Sequence, residues 1–128
     1  MRAPGIARAA AAVLAVEAVA LLVFAAIEMA GLGAGDAASL PTAIALIVLT
    51  LIGAAALAAF AFGTRAGRSW ARSGGVVFQV LAIALALGAL TLPPIPWAFV
   101  LGLGIPAVAG LALLIASARR EGTRREAE

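Results

Sequence analysis

Two stretches of this chain, residues 37–64 and 73–118, contain no Asp, Glu, Lys or Arg. A hydrocarbon core of about 30 Å is crossed by about 20 helical residues rising 1.5 Å each. The first stretch therefore holds one crossing and the second holds two, and a third apolar run, Ala9 to Ala30, precedes both. Inside lipid every backbone N–H and C=O must be satisfied within the protein, which for segments of this length means helix. The expectation is an all-α chain, a four-transmembrane-helix bundle built from two helical hairpins and forming one domain over residues 1–128. Its helices should span about residues 9–30, 41–62, 75–92 and 97–118. Between them lies a basic loop over 63–74, and a charged tail follows at 119–128.

Composition excludes the soluble alternatives. Hydrophobic residues make up 65% of the chain and charged residues 12%, with a mean hydropathy of +1.16, against about 45–50% and 25% in soluble domains. Cysteine and histidine are absent, so disulfides, thiolate chemistry and the usual metal-ligand sets are excluded, and no metal or cofactor is expected. The net charge of +3 rests on nine arginines: Arg2, Arg8, Arg65, Arg68, Arg72, Arg119, Arg120, Arg124 and Arg125. With four spans, all nine fall on one side. The positive-inside rule makes that side cytoplasmic, placing both termini inside and the protein in the cell membrane as a multi-pass component. These arginines are not interleaved with aromatics for base stacking, so nucleic acid is not an expected partner. The first apolar run, at about 22 residues, exceeds the 7–15 of a cleavable signal and is expected to stay as a helix.

Punctuation along the chain fits this register. Gly31 to Asp36 reads as an external loop, and Ser39 with Pro41 as the start of the second helix. That helix is bulky over Ile44–Ile52 and small over Gly53–Ala59, a face suited to close packing against neighbours or another subunit. The Pro93-Pro94-Ile95-Pro96 turn forces the last two helices into a tight hairpin. Within the fourth helix Pro106 removes one backbone donor and frees the carbonyl of Gly102, marking the pair as a candidate hinge. Trp70 and Trp97 fall at opposite membrane boundaries, where indole rings settle.

The candidate chemistry is sparse. Glu17 lies nine residues beyond Arg8 and Gln79 seven beyond Arg72, depths of about 13 and 10 Å in two helices running the same way. An acid at that depth should face the bundle interior and bond a partner, either Gln79 or the carbonyl freed by Pro106. It then serves as interhelical glue or as a proton or cation site. Glu28 returns to nearly the same face eleven residues on, about 16 Å further out, so that Glu17, Gln79 and Glu28 form one candidate ligand or proton stripe; at Glu28 solvation is the main expectation, and a catalytic carboxylate pair is excluded. Gly33-Ala-Gly-Asp36 matches a short intramembrane aspartyl-protease pattern, but Asp36 is the only aspartate and sits in a loop. The serines have no His or Lys base. No enzyme activity is expected. Arg65, Arg68 and Arg72, spaced three and four apart, would share one face of a helical loop and, with Trp70, contact lipid head groups. In the tail, Gly122 interrupts the Glu121–Arg125 spacing, so a solvated, partly frayed segment is expected.

Glu17 and Glu28 in the first helix, Arg68-Ser-Trp-Ala-Arg72 before the third, Gln79 within it, a Gly/Pro-containing fourth helix and an Arg-rich end resemble a group of small four-helix membrane proteins of actinobacterial type. The resemblance implies a fold but no activity. A weaker similarity is to small multidrug transporters, which also carry a glutamate in the first of four helices. This chain lacks their intramembrane aromatic cage, and its one-sided arginines oppose their dual topology. The expected role is a non-enzymatic accessory or helix-packing component, with the bilayer and either a further copy or another membrane protein as partners. The competing expectation is a proton-coupled small transporter or channel using Glu17.

Overall fold

The computed structural model describes residues 5–35 and 38–128, so Arg2 and Asp36 lie outside the described residues. Among the described residues there are four helices: α1 (Gly5–Ala34), α2 (Leu40–Arg65), α3 (Ser69–Ala89) and α4 (Trp97–Ala127). All four are long and apolar enough to cross a membrane. The protein is a multi-pass membrane protein, and its surface shows why: Leu22, Phe24, Leu49, Leu85 and Ile105 are each more than half exposed. Water would penalise such a surface, whereas lipid tails accept it.

The two hairpins, α1–α2 and α3–α4, pack side by side, with α1 against α4 and α2 against α3, closing a ring of four. Consecutive helices run antiparallel, so Arg8, Arg65, Arg68, Arg72 and Arg119 gather at one end of the bundle, hereafter the basic end. The bulky core also sits toward this end. Leu14, Leu57 and Leu114 are at most 1% exposed and are joined by Ala10, Ala18 and Ala61.

Most of the stretch expected as a basic loop is helical. Only Ala66–Arg68 separates α2 from α3, with Gly67 in the left-handed region at φ +76°, a conformation that favours a residue without Cβ. Two glycines of this stretch, and Gly75 just beyond it, are packing notches. A Cβ on Gly63 would run into the Ala71 side chain, one on Gly74 into the Phe60 ring, and one on Gly75 would lie 3.0 Å from Leu114 Cδ1. Close crossing of α2 and α3 thus pulls both helices into what charge alone marks as a loop.

Elsewhere the helix ends also depart from those expected. α1 continues to Ala34 before Gly35 turns it at φ +79°. Ser39 takes the N-cap position of α2, although its hydroxyl pairs with Thr42 Oγ1 at 3.1 Å and not with the backbone. α3 stops at Ala89, three residues short of its expected end, and Pro96 caps α4 from outside. α4 runs as one helix through Pro106 and on through Gly122, where Arg125 Nε meets Glu121 at 3.7 Å. The frayed tail is replaced by helix because good helix formers surround that single glycine.

Candidate functional site: a polar pair across the bundle

α1 and α3 occupy diagonal corners of the ring, so a side chain joining them must cross the interior. Glu17 and Gln79 do so: Gln79 Nε2 donates to Glu17 Oε2 at 2.6 Å. Gln79 is fully buried and Glu17 is partly buried. Matching depth in parallel helices brought the two to one level, as the residue spacing from Arg8 and Arg72 implies.

The room for this bond comes from α4. A Cβ on Gly110 would lie 3.1 Å from Gln79 Cδ, 3.2 Å from Gln79 Nε2 and 3.3 Å from Val13 Cγ1. The missing side chain lets the Gln79 amide lie between α4 and α1, and a methyl group there would push it. Gly110 belongs to the candidate site, and sequence reasoning passed over it in favour of Gly102 and Pro106. Gly102 has open space around its Cα, and Glu17 takes Gln79 as its partner with no hydrogen bond to the carbonyl freed by Pro106.

The pair is not fully matched. Gln79 Oε1 is buried with no hydrogen-bond partner among the described residues. Glu28, expected to be solvated, is half-buried, and its Oε2 is also buried without a partner. Thr50 Oγ1 comes within 3.5 Å of Glu28 Oε1, but at 2.8 Å it donates to the Leu46 carbonyl of its own helix. The shorter bond takes the hydroxyl proton, and the contact with Glu28 lies beyond ordinary O–H···O range. α2, packed along α1, covers one side of Glu28.

The arginines of the basic end do not share a face. Arg65 ends α2, Arg68 precedes α3 and Arg72 lies in the first turn of α3, because the turn at Gly67 breaks the helical spacing. Arg65, Arg68 and Trp70 are exposed where head groups would be met, and Trp70 contacts Phe60 edge to face at 6.2 Å. Arg72 is only 7% exposed and has no acid in salt-bridge range among the described residues, so it is placed inside the bundle end and not against lipid. Thr64, also fully buried, leaves its hydroxyl without a partner.

No group of three or more His, Cys, Asp or Glu side chains is placed to hold a metal ion among the described residues. In comparison with known proteins, no family model, no curated protein and no solved structure matches this chain.

Proposed function

We propose that this protein is a non-enzymatic accessory component of the cell membrane, with both termini cytoplasmic, acting by helix packing. The observation that carries the reading is the diagonal Glu17–Gln79 bond. It engages the deepest acid with a partner inside the bundle and pins α1 to α3, leaving the outer faces of the helices for lipid or protein neighbours. Small residues on those faces support the same reading. On the α2–α3 seam Ala56, Ser73 and Gly74 form the small part of a shallow notch of about 360 Å³ that Phe60, Val77, Phe78 and Leu81 border, and small residues let a further helix approach closely in lipid. Crosslinking in native membranes followed by native mass spectrometry should recover an oligomer or a copurifying membrane protein. A strictly monomeric chain carrying only lipid would count against the accessory role.

One observation favours a second reading. The buried, unpaired oxygens of Gln79 and Glu28 lie at two depths along the bundle interior, the arrangement a proton-coupled transporter or channel using Glu17 would need. Liposomes containing the protein should then show proton flux that Glu17→Gln abolishes. Flux no greater than in empty liposomes under every imposed gradient leaves Glu17 with its packing role alone.

A further inference from the structure

Along the α1–α2 seam runs a groove of about 600 Å³. Its floor is alanine: Ala11, Ala15 and Ala18 from α1 face Ala54, Ala58 and Ala61 from α2. The spacing of four then three in both helices keeps one small-residue row turned to the seam. Walls rise where the side chains are larger, at Val19 and Phe62, which are 59% and 76% exposed and border the open side. The groove ends at Leu22 and Leu51, and its other end is Arg8 and Arg65.

From Arg8 to Leu22, and from Leu51 to Arg65, each helix contributes fourteen residue steps, or about 21 Å. Half of a hydrocarbon core is about 15 Å, so the groove covers one leaflet and reaches into the head-group layer only at the arginines. Volume also suits one bound chain, being within the ~300–1,000 Å³ of ligand clefts. No acid lines the groove, and neither Arg8 nor Arg65 has an acid in salt-bridge range among the described residues. An uncompensated pair of guanidinium groups at the interface, above an apolar slot one leaflet deep, matches an anionic lipid: phosphate above, acyl chain below.

A second copy of the chain fits less well. A symmetric pair sharing one membrane orientation would bring two copies of Arg8 and two of Arg65 to the same end of the seam, four like charges with no acid between them. We infer that the α1–α2 groove is a binding site for an anionic glycerophospholipid, one acyl chain lying on the alanine floor and the head-group phosphate held by Arg8 and Arg65. The inference rests on membrane embedding alone and stands or falls separately from the accessory role.

The test uses the purified full chain in neutral detergent, titrated and weighed by native mass spectrometry. The probes are dioleoylphosphatidylglycerol, its phosphatidylcholine counterpart and sn-glycerol 3-phosphate, which has the anionic group without chains. One phosphatidylglycerol per chain should be retained in preference to phosphatidylcholine, with glycerol 3-phosphate not retained. Arg8→Gln with Arg65→Gln should weaken phosphatidylglycerol about tenfold or more and leave phosphatidylcholine unchanged. Ala15→Phe, at an exposed position that fills the groove without entering the core, should weaken both lipids. Arg120→Gln, an exposed charge outside the groove, should change neither. Equal retention of the two lipids overturns the proposal, as does an Arg120→Gln loss equal to that of the double variant, or retention of glycerol 3-phosphate as strong as that of the lipid. A lipid-free dimer or protein complex dissolved by Ala15→Phe would assign the groove to a helix and overturn it too.

Discussion

At the scale of single residues, the diagonal bond makes unequal demands on its two partners. Gln79 is fully buried and donates through Nε2 to Glu17 Oε2. Glu17→Gln preserves an acceptor oxygen of the same reach, so unfolding in detergent should register a loss below about 1 kcal/mol. Glu17→Leu leaves a buried amide donor unpaired and should cost about 1–3 kcal/mol. Removing Gln79 as well, in Glu17→Leu/Gln79→Leu, should recover part of that loss; a double variant no better than the sum of the singles would show that the bond contributes nothing. The pair itself was legible in the sequence, because in a membrane helix depth follows from counting residues from the nearest arginine. Gly110 was not legible as its companion, because the rotation of α4 about its own axis depends on packing that no count supplies. The burial of Arg72 was hidden for a related reason: charge marks a residue as facing water, but Gly63 and Gly74 draw α2 and α3 together and carry Arg72 inside.

At the scale of the element, four glycines that look alike in sequence have different physical roles. Gly63→Ala drives a Cβ against the Ala71 side chain across a connection of only three residues, Ala66–Arg68. The helices must separate, so a loss of about 1–3 kcal/mol in detergent unfolding is expected. Gly74→Ala meets first the ring of Phe60, a side chain and not backbone, and should lose less where that ring can shift against Trp70 and Phe78. Gly110→Ala presses on Gln79 and should disturb the same bond as the Glu17 variants, so its effect should shrink in a Gln79→Leu background. Gly102→Ala meets nothing within 4 Å and replaces a poor helix former, so it should be neutral or stabilising by up to about 1 kcal/mol. A large loss at Gly102 would restore the hinge that Pro106 suggests. Helix existence and number could be read from the uncharged runs, since lipid leaves the backbone no other solution. Helix ends could not, because the charges that mark a boundary with water do not stop a helix, and both α1 and α4 continue past them.

For the whole molecule, the gathering of described arginines at one end predicts a single orientation in the membrane. Cysteine placed at Ser39 and at Ser69, in a chain that has none, should be labelled by an impermeant reagent from opposite sides. Labelling of both from the same side would overturn the four-span arrangement. The ring of helices holds together with little polar help inside. One diagonal bond and a leucine cluster at the basic end carry the packing, and the other half of the bundle is lined mainly by alanine: Ala82, Ala86, Ala89 and Ala107. Small side chains there let the helix backbones approach closely, so the two halves are packed by different means. The length of α4 adds a mechanical property to this picture. Its 31 residues span about 46 Å, some 16 Å more than the hydrocarbon core, and the surplus carries Arg119, Arg120, Arg124 and Arg125 as a stiff arm. Because that arm is one helix with the membrane-spanning part of α4, the direction of α4 within the bundle fixes where its four arginines stand beyond the apolar span.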